Sequence, residues 1–193
     1  MLTISDLIAF EEEIALEFNS GKIRHPVHLE SGNEEHLIRM FHDIRHEDWV
    51  VGSWRSHLKA LLKGVPPDEL KSAIRSGSSI SLCFPEYRVL SSAIVGGSVS
   101  IAVGIALSIK RLGGKERVHC WIGDMTAETG IAHESMKYAK GHELPIKFII
   151  EDNGHSVLTP TKEAWGIGED SDIVRYEYRS KWPHCGAGSR VQF

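Results

Sequence analysis

The residues best placed to do chemistry are an acid and an amide, each standing where a short apolar run gives out. RVHCWIG ends at Asp124, and IKFIIED ends just before Asn153. If both runs are parallel strands joined by one helix, their carboxyl ends lie side by side, where open parallel sheets bind ligands. A carboxylate and an amide oxygen are hard ligands suited to magnesium, which usually leaves further positions to water and phosphate oxygens. A helix that starts near Thr126 points its free N–H groups and positive dipole end at the same edge, which favours a diphosphate. Metal and phosphate then share one pocket. On these residues alone a plainer reading stands beside it, with Asp124 as a helix cap and Asn153-Gly154 as a turn.

The elements that must position this pair can be read from periodicity. A helix runs from about Ala127 to Lys140, with Gly141 as its cap, between the two apolar runs. Both runs look buried on two faces, so strand, helix and strand make a βαβ unit with a parallel sheet. Ile173 to Tyr178 is a third candidate strand, and GGSVSIAVGIALSIKRLGG reads as a helix buried nearly all round. Upstream, Ile4, Leu7, Ile8, Ile14, Ala15 and Phe18 recur at helical spacing and Gly21 is a natural stop. A loop from Arg24 to Asn33 leads to a helix from Glu34 to about Ile44. Beyond Trp49-Val50-Val51 lie the loop Gly52-Ser53-Trp54-Arg55, the helical HLKALLKG, a short helix opened by Pro66-Pro67, and an ordered loop from Ser76 to Ser92. The fold class is α/β, a parallel sheet flanked by helices. Residues 1–193 form a single domain, with 1–92 as helical and loop lead-in and 93–193 as the βαβ core.

Bulk properties exclude several classes. The 193 residues are 41% hydrophobic and 25% charged, ordinary globular values. A net charge of -4 makes no case for nucleic acid or an anionic membrane. Cys83, Cys120 and Cys185 are too few and too far apart for a disulfide framework or zinc ribbon, and Cys120 reads as core. The acidic amino terminus lacks the marks of a signal peptide, and Val99 to Ile109 is too short to span a bilayer, so a soluble, cytoplasmic protein is expected. His42 and His46 share one helix face without a third ligand and read as solvated. Neither G-x-G-x-x-G nor a P-loop pattern occurs, which counts against an unrelated nucleotide-binding domain.

Gly123-Asp124-Met125 followed by Asp152-Asn153 resembles the thiamine diphosphate motif, Gly-Asp-Gly with a trailing Asn pair. The flanks sharpen the likeness. Ala132-His133-Glu134 with Ala139 and Leu144-Pro145, the segment SAIVGGSVSIAVGIAL, Val27-His28-Leu29 with Gly32-Asn33-Glu34, and Trp54-Arg55-Ser56-His57 all resemble the alpha subunit of the 2-oxoacid dehydrogenase decarboxylating component, of pyruvate or branched-chain type. The resemblance covers residues 5 to 165 and implies the diphosphate-binding fold of that family. It implies magnesium held by Asp124, Asn153 and the carbonyl of His155. It implies thiamine diphosphate contacts from His28, Trp54, Arg55, Met125 and Thr126, with the carbonyl of Ala93 and the N–H of Val95 on the aminopyrimidine. His28, as proton donor or stabiliser of developing charge, and His57, with support of its loop as the alternative role, are the implied catalytic histidines.

The family also implies a separately encoded beta-type, pyrimidine-binding subunit in an α2β2 assembly, with a 2-oxoacid substrate decarboxylated and its acyl or aldehyde unit transferred. A split transketolase-like carboligase acting on a ketose and a non-catalytic scaffold partner are the alternatives. Four residues depart from the family pattern: Met125 for Gly, Trp54 for Tyr, Ala93 for Gly and Asp152 for Asn. The chain also stops soon after Trp165, where the family continues through a second His-bearing loop and further helices.

Overall fold

The computed structural model describes residues 2–166 and 174–188. Helix α1 (Ile4–Asn19) begins at a capping box, in which Thr3 and Asp6 satisfy each other's backbone N–H groups. It is followed by α2 (Glu34–Phe41), β1 (Trp49–Gly52), α3 (His57–Leu62) and α4 (Pro67–Ala73). Pro67 opens α4, where its missing N–H costs nothing. Two short strands, β2 (Cys83–Phe84) and β3 (Val89–Ser91), come next. Then follow α5 (Gly97–Arg111), β4 (Val118–Gly123), α6 (Asp124–Ala127), α7 (Gly130–Gly141) and β5 (Ile146–Asp152). A small hairpin, β6 (His155–Ser156) and β7 (Thr159–Pro160), leads to α8 (Thr161–Trp165) and finally β8 (Val174–Glu177).

Six strands make one sheet in the order β2-β3-β1-β4-β5-β8. All neighbours are parallel except β2, which pairs antiparallel with β3. The strands are apolar on both sides because both sides are covered. Val50, Trp121, Ile149 and Tyr176 face one core with Leu7, Phe18, Leu37, Leu58 and Leu70. Val51, Val118, Cys120, Ile122 and Ile150 face the other, with Val99, Ala102 and Ala106 of α5 and Ala139 of α7. Successive side chains of one strand thus enter different cores, as the period of two demands.

The connections define where a ligand can sit. From β1 the chain crosses to β3 by way of α3 and α4 on the first face, then returns over the second face through α5 to β4. The neighbours β1 and β4 therefore send their chains away on opposite faces. A crevice opens at their carboxyl ends, the general ligand position in such sheets. The register sets Gly123 opposite Glu151, so β4 and β5 leave the same edge together.

Four expectations need correction. The 1–92 segment is more than a lead-in, because it supplies β1 at the centre of the sheet together with β2 and β3. These strands have two to four residues, too few for alternation to register. The helix expected over 127–140 begins only at Gly130, where the Thr129 side chain caps α7 by accepting from the Ala132 N–H, and Asp124–Ala127 form the separate short helix α6. Helix α2 stops at Phe41 rather than Ile44. Helix α5 buries one stripe against the sheet and α7 and leaves Ile101 45% exposed. The third strand is present at Val174–Glu177; Ile173 lies outside the described residues. No helix of the described residues is long and apolar enough to cross a membrane.

Candidate functional site

The crevice is a cleft of about 290 Å³. Its walls come from the β1–α3 turn (Ser53, Trp54, Arg55), the β4–α6 corner (Gly123 to Thr126), the end of β5 with the following turn (Glu151, Asn153, His155) and the segment after β8 (Tyr178, Arg179, Trp182, His184). Asp124, Met125, Thr126, Asn153, His155, Trp54 and Arg55 thus line one space. Of the other sequence-predicted residues, His28 stands behind its wall, and His57, Ala93 and Val95 do not line it.

Asp124 is only 2% exposed, and its carboxylate accepts a hydrogen bond from the Thr161 hydroxyl at the start of α8. Burial pushes its pKa above the usual carboxylate value and nearby Asp152 adds to the rise, while the Thr161 bond and the N–H groups of Asp124 and Met125 oppose it. A buried carboxylate held charged at a cost is a group a divalent cation would relieve. Asp152 has its own partners, because its oxygens accept from the Gly154 N–H at 2.9 Å and pair with Arg175 of β8 at 3.0 Å. That pairing accounts for an acid where the resemblance leads one to look for an amide.

The turn after β5 is shaped by Gly154, at φ 76°, a left-handed conformation that glycine adopts without strain. Asn153 accepts the His155 N–H at 3.1 Å, and the Gly154 carbonyl accepts the Thr161 N–H at 3.0 Å. The side-chain oxygen of Asn153 keeps a second lone pair, and the His155 carbonyl lies on the same turn. Among the described residues no three His, Cys, Asp or Glu side chains cluster as a metal site. A cation here would take one carboxylate, one amide oxygen, one carbonyl and oxygens of its ligand, a donor set that suits magnesium.

A second group of residues faces the cleft from β1. Arg55 donates from Nη2 to the His184 carbonyl at 2.9 Å, while its Nε is buried without a partner. Trp54 Nε1 and His28 Nδ1 are likewise buried and unpartnered. The His28 ring lies 5.0 Å from His184 and 6.0 Å from Trp54. Each unsatisfied buried polar group costs about 1–3 kcal/mol. Unpartnered nitrogens buried beside a cleft, with Arg55 Nε and Trp54 Nε1 as donors, suit an anionic ligand that completes them. Met125 also lines the cleft, and its sulfur accepts the Trp165 indole N–H at 2.8 Å.

His28 is neutral here. Desolvation, then Arg55, His184 and His57, lower its pKa from 6.5 to about 3. The unfolded chain takes a proton near 6.5, which the folded ring refuses until about 3. The stability from this group is therefore present above 6.5 and lost as pH falls through about 3. His28→Asn is expected to flatten the fall in urea midpoint across that window; an unchanged pH profile would refute the assignment.

His57 requires a correction. It is 0% exposed, and its ring nitrogens are occupied by Glu11 at 2.9 Å and Ser79 at 2.9 Å. Glu11 also accepts the Glu30 N–H at 3.1 Å. With no open edge, His57 braces the loop after His28 and touches no reacting group. Ala93 and Val95 are exposed at the corner between β3 and α5.

Sequence reasoning missed His184. The segment after β8 lines the cleft from Tyr178 to His184 and sets His184 against His28 and Arg55. Applying the strand-end rule to the third predicted strand would have pointed to this loop. Also missed was a buried polar group beneath the floor: Glu30, Asn33, Lys59, Glu151 and Tyr176. Its one legible sign was an acid, Glu151, closing an apolar strand.

Comparison with known proteins gives this cleft its family. The model of the family described as "Dehydrogenase E1 component" matches residues 3–174. The alpha subunit of acetoin:2,6-dichlorophenolindophenol oxidoreductase from Cupriavidus necator is 28% identical over 185 residues, covering 91% of this chain and 54% of that protein. Its Bacillus subtilis namesake is 26% identical over 170 residues, covering 82% and 51%. The chloroplastic pyruvate dehydrogenase E1 component subunit alpha-3 of Arabidopsis thaliana is 28% identical over 182 residues, covering 83% and 42%. The chain spans about half the length of these curated relatives. Matched over most of its length, with the strand-end acid and amide on one cleft, the chain belongs to the dehydrogenase E1 component family.

Proposed function

We propose that this chain is the alpha-type subunit of a two-chain thiamine diphosphate enzyme that decarboxylates a 2-oxoacid, or cleaves next to a ketone, and passes on the acyl or aldehyde unit. The observation that carries the reading is the meeting of Asp124, Asn153 and Arg55 on one switch-point cleft. Asp124, Asn153 and the His155 carbonyl would hold magnesium. Arg55 offers a charged, planar donor fork to the diphosphate, with Trp54 and Thr126 beside it. Thiamine diphosphate, when bound, supplies the nucleophilic carbon and the electron sink for decarboxylation. This chain grips the diphosphate end, keeps water from it beneath the 178–188 loop, and offers the neutral His28 ring as a hydrogen-bond donor.

The exposed Ala93 and Val95 corner, with Ile94 73% and Val95 52% exposed, suits coverage by a beta-type partner over the aminopyrimidine end in an α2β2 assembly. Three free cysteines accord with a reducing cytoplasm. Relatives named for acetoin and for pyruvate make both, with ketose phosphates, the first substrates to try. One observation favours a scaffold instead: the Met125 side chain, held by Trp165, stands in the cleft where the family pattern has glycine. The co-purifying complex should be titrated with thiamine diphosphate and magnesium, then assayed against that panel. Saturable, magnesium-dependent binding with turnover is expected; absence of both would leave the scaffold.

A further inference from the structure

Lys59 is 0% exposed, yet it carries an ammonium. That ammonium lies 2.8 Å from Glu30 and 2.9 Å from Glu151, and it donates to the Arg55 carbonyl at 3.0 Å. Asn33 donates to Glu30 and to Glu151, each at 3.2 Å, and the Tyr176 hydroxyl reaches the same Glu151 oxygen at 2.5 Å. These five residues come from the four segments that carry the cleft's polar groups. Glu30 follows His28 by two residues, Lys59 follows Arg55 by one helical turn, Glu151 precedes Asn153, and Tyr176 leads into the loop that bears His184.

We propose that Lys59 is a positioning residue: one buried ammonium ties the His28 loop, the Arg55 turn and the tip of β5 into a single register beneath the cleft. Stability does not account for such a group. A buried ion triad is often no better for stability than well-packed apolar residues of the same volume, whereas removing one partner strands a charge. What the triad adds is direction, because each carboxylate accepts at a fixed angle and a slip of any one segment breaks several bonds at once. The burial of Glu30, with Glu151 beside it, raises its pKa to about 7, while both carboxylates hold Lys59 firmly charged. The brace therefore keeps its central cation throughout the neutral range.

The proposal rests on the functional reading above only for its consequence on cofactor affinity, and its test separates the two. Peptide-level amide exchange on the co-purified complex is compared between wild type, Lys59→Met and Lys59→Met/Glu30→Gln. The double variant removes one of the stranded carboxylates in case the single one fails to fold. Exchange is expected to rise about tenfold or more in 28–33 and 53–56, with the strands β4 and β5 as protected as before. Thiamine diphosphate affinity, measured with magnesium, should drop about tenfold or more, and Lys59→Arg should recover part of it. Unchanged exchange in those segments, or an equal rise across the whole sheet, would overturn the brace, whether or not the wild type binds cofactor. Local loosening without loss of affinity in a cofactor-binding wild type would also overturn it.

Discussion

Asp124→Ala is expected to abolish magnesium-dependent binding of thiamine diphosphate. Mutating a group merely behind a metal ligand already costs about 10–100-fold in affinity, so loss of the only carboxylate offered to the cation costs at least that. Stability should behave oppositely. Burial raises the folded pKa of Asp124 above its ordinary 3.8, so once the unfolded carboxyl ionises, the folded state bears a penalty that grows with pH until the folded group ionises too. Asp124→Asn keeps the shape and the Thr161 contact without that charge. It should therefore melt no lower than wild type at neutral pH in the absence of magnesium. Calorimetric titration and a thermal melt on the same sample read both effects. Wild-type affinity in either variant would remove the cation from this corner.

His28→Asn carries the second large effect, on turnover. A positioned hydrogen-bond donor to developing charge contributes about 10²–10³-fold, and kcat on the best substrate should drop within that range. Cofactor affinity should change little, because Arg55 and the cation ligands remain. With a folded pKa of about 3, His28 stays neutral through the assay range, so the wild-type rate profile near neutrality should contain no step from this ring. Equal kcat in the variant would leave His28 as packing against His184 and Trp54.

The strand tips were readable because an apolar run that ends in a polar residue is a local pattern. Asp124 and Asn153 needed only their own neighbours and one rule about parallel sheets. The centre of the sheet was harder. Trp49 to Gly52 becomes a strand through its pairing with Val89 to Ser91 and Val118 to Cys120, partners far away in sequence. Lys59 sits in HLKALLKG at a position that looks like any solvated helical lysine; only Glu30 and Glu151, from distant segments, put it inside. His57 was recognisable by its motif, but its role was not, because Glu11 and Ser79 reach it from other elements.

The middle position of β1 bears on how the chain is made. Its two edges are filled by β3 and then β4, both synthesised later, and β4 is not complete until Gly123 has been added. Parallel pairing across such distances is slow, and an emerging chain with bare strand edges is prone to stick to its neighbours. Each half holds only three of the six strands and leaves a central strand edge bare, so expression as separate fragments should give aggregates, and a chaperone that shelters the nascent first half would aid its yield.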